Sequence, residues 1–242
     1  MTGTPPVTAL ASNREGTGMK DSVRLGCFAA FWGDTRTAIR DILDGAEVDY
    51  LVSDYLSEIT MALLARARAK DPDGAGFVGD FISTVAPVLS EVSERGIKIV
   101  TNAGALNPAA CARALSELAR DHGIDLKVAA VEGDDLLAQR DQVIAAAPDD
   151  MVTGRPVPHD VGSLNAYLGA RPIAAALAAG ADVVITGRCV DAAVVLGPLM
   201  HEFGWKDDEY DLLAAGSLVG HIVECGPQAT GGNVTDWASV PG

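Results

Sequence analysis

Five short polar segments follow apolar runs of this chain, and they carry the side chains best suited to chemistry. Asp34 and Asp54 offer carboxylates for proton transfer as general acid or base. Arg188 offers a guanidinium group, which suits a two-point contact to a carboxylate or a phosphate. The segments are FWGD at 31–34, SDYLSE at 53–58, NAGALNP at 102–108, EGDD at 132–135 and TGRCVD at 186–191.

Several of the candidate groups suit a negatively charged ligand. The amides of Asn102 and Gly104, next to the start of a predicted helix, can hold a carboxylate, a phosphate or a thioester oxygen. Arg188, directly after a predicted strand, would bind the same kind of group. TGGN at 230–233 is either a turn or a backbone nest for an anion. The predicted substrate contacts therefore also include Thr186, Gly187, Gly231, Gly232 and Asn233.

Three carboxylates are candidates for catalysis, and each also has a structural interpretation. Asp54 is preferred because it directly follows a predicted strand, and Asp34 has a similar position. Asp191 is the third candidate, although it could instead pair with Arg188 and cap a helix. Glu58 could simply stabilise the N-terminus of a helix.

The C-terminal part of the sequence holds a polar cluster of His221, Glu224 and Cys225. A His–Cys pair could attack a thioester, but a lone cysteine is more often a small core residue. No nucleotide-binding glycine motif occurs in the expected context, so the cofactor is unknown. No spacing of Asp, Glu and His is diagnostic of a metal, so no metal site is predicted.

Strand and helix patterns alternate along the chain, which predicts an α/β fold. The expected architecture is a mostly parallel sheet with helices on both faces, a Rossmann-like three-layer arrangement. In such a sheet the carboxyl ends of the strands lie at one edge, where ligands bind. The strands are predicted at 23–28, 49–52, 97–101, 126–131 and 182–186, with a short one at 222–224. The helices are predicted at 35–44, 57–69, 80–95, 108–122, 134–147, 165–179, 191–203 and 207–219, and 147–160 is predicted as a loop or lid.

The amino-acid composition limits the classes of partner that the protein can bind. The 242 residues carry a net charge of −15, with a pI near 4.5, which disfavours nucleic acid and anionic membranes. The four cysteines are widely spaced, as expected of reduced thiols in a cytoplasmic protein. Residues 1–22 lack an apolar core for a signal peptide and are predicted to be a disordered arm.

Five strings of the sequence carry a resemblance to a known family. They are SDYLSEITMALLARARAKDP at 53–72, NAGALNP at 102–108, NAYLGA at 165–170, ITGRCVDAAVVLGPLMHEFGW at 185–205 and LVGHIVECGPQATGGNVTDW at 218–237. These strings resemble the acyclic terpene utilisation family, AtuA, and the resemblance runs from near Val23 to the last residue. The sequence departs from the family at 26–34, where GCFAAFWGD keeps Gly33 and Asp34 but lacks an upstream glycine of the family's turn.

The resemblance implies a place in the degradation of acyclic terpenes through branched acyl-CoA thioesters, and it leaves the reaction open. Family members usually continue beyond the last string, which implies that residues 23–242 are the N-terminal portion of a longer architecture. The first hypothesis is an enzyme that binds a small anionic substrate or CoA thioester. The alternatives are a non-catalytic acyl-CoA-binding or assembly subunit and a metal-dependent hydrolase or lyase. An oligomer or a C-terminal partner domain is expected to complete the site.

Overall fold

The computed structural model of the protein describes residues 8–12, 21–146 and 149–230, with the backbone alone for 8–12. Its strands are β1 (Thr8–Ser12), β2 (Ser22–Ala29), β3 (Tyr50–Ser53), β4 (Lys98–Ala105), β5 (Val128–Val131) and β6 (Val183–Gly187). They form one sheet in the order β1-β2-β3-β4-β6-β5. The five strands from β2 to β6 are parallel, which confirms the predicted α/β fold.

Strand β1 lies inside the segment 1–22 that the sequence predicted to be disordered. It pairs antiparallel with β2, from Thr8 opposite Gly26 to Ser12 opposite Ser22. The prediction is therefore wrong for these five residues. Pairing with the edge of β2 satisfies backbone groups through a contact that composition cannot reveal.

Nine α-helices lie within the described residues, and two of their N-caps were predicted. The Ser57 hydroxyl accepts from Thr60 N, and Asn107 Oδ1 accepts from Ala110 N ahead of Pro108. The helices are α1 (Ala38–Gly45), α2 (Glu58–Arg68), α3 (Gly79–Val85), α4 (Leu89–Glu94), α5 (Pro108–Asp121), α6 (Arg140–Ala145), α7 (Arg171–Ala178), α8 (Ala193–Phe203) and α9 (Tyr210–Glu224). Short 3₁₀ turns occupy Ala86–Val88, Leu137–Gln139 and Gly226–Thr230. No helix among residues 21–146 and 149–230 has the length and apolar character needed to cross a bilayer.

The two faces of the sheet bury separate hydrophobic cores. Alternate strand residues point to opposite faces, so Leu51 and Ile99 join one core while Tyr50 and Val100 join the other. The first core is covered by helices α1 to α5, and the second by α7, α8 and α9. The predicted placement of helices on both faces is thereby confirmed.

The chain order places a topological switch point between β4 and β6. Strand β6 is inserted between β4 and β5, so the connection leaving β4 passes over its neighbour. Helix α5, which follows β4, packs on the first core, whereas α8, which follows β6, packs on the second. Ligands in open α/β sheets bind where neighbouring strands send their connections to opposite faces.

Several predicted element boundaries are wrong, each for a local reason. The helix predicted over 165–179 begins only at Arg171, because Asn165 and Leu168 form isolated bridges with Asp135 and Cys189. The helix predicted over 134–147 is reduced to Leu137–Gln139 and α6. The 80–95 helix is divided by a 3₁₀ turn that contains Pro87, which cannot donate a backbone hydrogen bond. The strand predicted at 222–224 is the last turn of α9.

Candidate active site

A buried carboxylate just after β3 meets a buried amide in the second half of β4. The register pairs Ser53 with Thr101, which brings the next residues, Asp54 and Asn102, side by side. Asn102 Nδ2 donates to Asp54 Oδ1 at 2.5 Å, and Asn102 Oδ1 accepts from Tyr55 N at 2.8 Å. Leu56 N also donates to Asp54 Oδ1, at 3.1 Å. Asn102 therefore orients the carboxylate predicted to be catalytic.

The pKa of Asp54 is raised to about 7. Burial is the main cause, since Asp54 is only 3% exposed and the charged form loses its hydration. The hydrogen bonds from Asn102 and Leu56 oppose this shift, and the charges of Asp191 and Glu224 add to it. A carboxyl group with this pKa can both donate and accept a proton near neutral pH.

Three carboxylates converge at this point of the sheet. One oxygen each of Asp54, Asp191 and Glu224 lies within 4.8 Å of the others. Glu224 is buried at the end of α9, and burial raises its pKa. Helix α9 reaches this position because Gly220 packs so close to α8 that a Cβ there would lie 2.7 Å from the Ala192 carbonyl oxygen. Such a group can share a proton between like charges, or it can hold a divalent cation.

Arg188 lies beside the carboxylates with its side chain only 5% exposed. Its Nη1 donates to Asp191 Oδ1 and to the Cys189 carbonyl oxygen, each at 2.9 Å. Its guanidinium carbon lies 4.1 Å from the centre of the Tyr167 ring. The Arg188–Asp191 pair that was considered as a helix cap is thus present, just before α8, and it adjoins the buried carboxylate Asp54.

The family of this chain follows from a comparison with known protein families. Residues 23–242 match the family described as acyclic terpene utilisation family protein AtuA. The chain belongs to the AtuA family. No curated protein and no solved structure matches it.

Two of the predicted anion-binding glycines in this AtuA chain have a packing role. A Cβ at Gly104 would lie 2.6 Å from the Thr186 carbonyl oxygen and 2.8 Å from Pro108 Cα. A Cβ at Gly187 would collide with the carboxylate of Asp134. Thr186 is buried and its hydroxyl donates to the Gly187 carbonyl oxygen at 2.8 Å. The two glycines therefore allow β6 to lie close to β4 and to the Asp134 carboxylate.

Asp134, in the EGDD segment that follows β5, holds the backbone of the site. Its Oδ2 accepts from Arg188 N and from Asn165 Nδ2, both at 2.8 Å. Asp134 is buried, and burial raises its pKa. It ties the end of β6 to the irregular segment that precedes α7.

Asp34 occupies a turn after β2. Its Oδ2 accepts from Ala30 N at 3.0 Å, and its Oδ1 accepts from Thr35 N at 2.7 Å. Both carboxylate oxygens therefore accept hydrogen bonds from backbone groups of the turn, which favours a capping role for Asp34 over a catalytic one. Gly231, Gly232 and Asn233 belong to the AtuA match but lie outside the described residues.

The geometry does not favour nucleophilic catalysis by Cys225. Its thiol donates to Glu224 Oε1 at 3.2 Å, and burial together with this carboxylate raises its pKa to about 11. His221 Nδ1 lies 3.6 Å from the same Glu224 oxygen, which places it beside the carboxylate. The thiol stays protonated at neutral pH and is a weak nucleophile.

Two residues at this site were missed as candidates by sequence reasoning. Glu224 was noted only as part of the His221 cluster, and Tyr167 was assigned to a helix. The available signal was the string NAYLGA at 165–170, where a tyrosine lies among small residues just before Arg171 and Pro172.

Proposed function

We propose that this AtuA family protein is an enzyme of acyclic terpene or branched acyl-CoA catabolism. It would act on a small anionic substrate or a CoA thioester at the carboxyl ends of the strands. Asp54 would be the general acid or base, and Arg188 would bind the anionic part of the substrate. The observation that carries the proposal is the buried Asp54 carboxylate, which Asn102 orients beside a buried arginine.

The arrangement assigns separate tasks to the groups around Asp54. Asn102 and Leu56 both donate to Oδ1, so Oδ2 is the oxygen that takes up or releases the proton. Asp191 accepts from Arg188 Nη1 and thereby orients the guanidinium group. Burial of both charged groups strengthens their interaction with a bound substrate, because less water screens it.

The test begins with a thermal-shift screen of branched acyl-CoA thioesters, free CoA and terpenoid acids. A ligand that binds only the folded state raises the melting temperature by mass action. Turnover of each hit is then measured for the wild type, Asp54→Asn and the exposed control Asp141→Asn.

We expect Asp54→Asn to lower kcat by about 10²–10⁴-fold, the usual contribution of a general acid or base. The kcat of the wild type should change with an apparent pKa near the value of about 7 for Asp54. Full turnover by Asp54→Asn would exclude this role.

A metal-dependent hydrolase or lyase is the second candidate, and the three converging carboxylates favour it. A divalent cation there would act as a Lewis acid on a carbonyl oxygen. Mg²⁺ or Mn²⁺ should then raise the melting temperature of the wild type but not of Glu224→Gln. Equal shifts in both proteins, with no effect of a chelator on turnover, would argue against a metal.

The third candidate is a non-catalytic acyl-CoA-binding or assembly subunit. Its support is the exposed apolar surface of α9, where Tyr210, Leu218 and Ile222 are 73%, 63% and 49% exposed. We propose that this surface contacts a second copy of the chain. Light scattering should then report a dimer or larger oligomer that Leu218→Asp disrupts. A monomeric wild type would refute the proposed contact between two copies.

We also propose a cytoplasmic location. All four cysteines are free thiols, as a reducing compartment favours. The net charge of −15 further argues against nucleic acid and anionic membrane surfaces as partners.

A further inference from the structure

Only some of the N–H donors in the buried guanidinium group of Arg188 have hydrogen-bond partners. Its Nη1 makes two hydrogen bonds, to Asp191 and to a backbone carbonyl. Its Nε is buried and has no hydrogen-bond partner among the described residues. Nη2 has a long contact of 3.9 Å to Glu58 Oε1. Because an arginine has five N–H donors, this one retains capacity for a further acceptor.

Glu58 Oε1 marks where such an acceptor would lie. The Tyr167 hydroxyl donates to this oxygen at 2.7 Å, and the Tyr167 ring covers the guanidinium group. A single carboxylate oxygen therefore lies between a phenol donor and a buried cation. The elements that form this arrangement are the first turn of α2, the segment before α7 and the end of β6.

We propose that Glu58 occupies an oxyanion-binding subsite formed by Arg188 and Tyr167, and that a carboxylate or phosphate group of the substrate displaces it. The inference rests on the proposed function, in which Arg188 binds the anionic part of the substrate. It adds Tyr167 as a binding residue and Glu58 as an internal competitor.

Exposure makes Glu58 suited to displacement. Its side chain is 82% exposed, whereas that of Arg188 is 5% exposed. The carboxylate can turn into water at little cost, while the buried cation remains and needs a negative partner. The hydrogen bond from Tyr167 lowers the pKa of Glu58, so the competitor is charged at neutral pH.

The test compares Glu58→Gln with a matched control, Glu47→Gln. Glu47 is also a surface glutamate, 81% exposed, with a long contact of 3.5 Å to Arg95 Nη2. Both substitutions remove one negative charge, but Glu47 lies just before β3, at the opposite ends of the strands. Binding of sodium isovalerate and of inorganic phosphate is measured by NMR titration at constant ionic strength.

We expect Glu58→Gln to bind at least one probe between twofold and about fivefold more tightly than the wild type, as expected for loss of an exposed ion pair. Glu47→Gln should bind like the wild type. A gain with isovalerate identifies a carboxylate ligand, and a gain with phosphate identifies a phosphate group. Adding Tyr167→Phe to Glu58→Gln should weaken binding about tenfold, because the phenol donor is lost while the ring remains.

The inference is overturned if Glu58→Gln and Glu47→Gln bind both probes equally, or if neither protein binds them. Arg188→Lys separates this result from a failure of the proposed function. If Arg188→Lys weakens substrate binding and Asp54→Asn abolishes turnover while Glu58→Gln has no effect, the proposed function stands without the competitor. If Glu58→Gln tightens binding while Asp54→Asn keeps full turnover, the subsite stands without the acid–base role.

Discussion

At Asp54, burial and hydrogen bonding act on the pKa in opposite directions. The hydrogen bonds from Asn102 and Leu56 stabilise the ionised form, whereas loss of hydration and the nearby Asp191 and Glu224 carboxylates destabilise it. The unfavourable contributions dominate, and the pKa rises from 3.8 to about 7. Ionisation of Asp54 is therefore coupled to folding.

We predict that Asp54→Asn stabilises the protein above pH 7. The folded state retains a proton that the unfolded state releases, so the free energy of unfolding of the wild type falls as the pH rises from about 4 to about 7. An asparagine at this position can still accept from Asn102 and Leu56 through its Oδ1. The gain should be near zero at pH 4 and reach at most about 4 kcal/mol at pH 8, from three pKa units at 1.36 kcal/mol each.

Urea unfolding at pH 4, 6 and 8 measures this difference. Asp141→Asn removes a carboxylate whose side chain is 84% exposed and serves as the control. A gain that does not depend on pH, or a loss of stability at pH 8, would contradict the coupling.

At the scale of the elements, the close approach of β4 to β6 positions the site. Ala105 of β4 pairs with Gly187 of β6, after a register shift that follows Thr101. Gly104 leaves no room for a side chain at this point, since Thr186, Pro108 and Ile185 surround its Cα. The glycine thus sets the spacing between the strand that carries Asn102 and the strand that leads to Arg188.

We predict that Gly104→Ala lowers the free energy of unfolding by about 1–3 kcal/mol or more, the usual range for overpacking. Backbone atoms provide two of the three nearest contacts, so the strands would have to separate. Gly79→Ala is the matched control, because a Cβ there meets nothing within 4 Å. Urea denaturation of both variants checks the prediction. Equal free energies of unfolding for the two variants would show that the contact between β4 and β6 accommodates an added methyl group.

The whole molecule carries 33 acidic and 18 basic residues, which leaves a net charge of −15. Mutual repulsion among like charges destabilises a compact state, and salt screens it. Charge of this size affects stability and association rather than the fold itself.

We predict that raising NaCl from 20 mM to 500 mM increases the melting temperature by several degrees at pH 8. The gain should be much smaller at pH 5, which is close to the pI near 4.5, where the net charge is low. Thermal unfolding followed by circular dichroism measures both shifts. An equal gain at the two pH values would point to a general salt effect on apolar surface.

Local patterns explain how much of the fold was predictable. The apolar runs of β2, β3, β4 and β6, and the capped helices α2 and α5, appear in neighbouring residues and were predicted from them. Predictions were wrong where distant contacts decided the structure. Residues 165–169 follow a helical pattern, but their backbone forms hydrogen bonds with Asp134 and Arg188. Strand β1 pairs with β2, although β1 lies in a mostly polar stretch of the sequence.

By itself the sequence determined the alternating α/β fold and the presence of Asp54, Asn102 and Arg188 in polar segments that follow apolar runs. Strand and helix periodicity and capping depend on residues close together in the chain. Only the tertiary structure decided which of these polar groups meet. Glu224 joins Asp54 and Asp191 through the packing of α9 on α8. Tyr167 covers Arg188 because the next residue, Leu168, forms a bridge with Cys189 just after β6. The position of β6 between β4 and β5 was likewise decided by tertiary packing, since local sequence patterns do not encode which strands become neighbours.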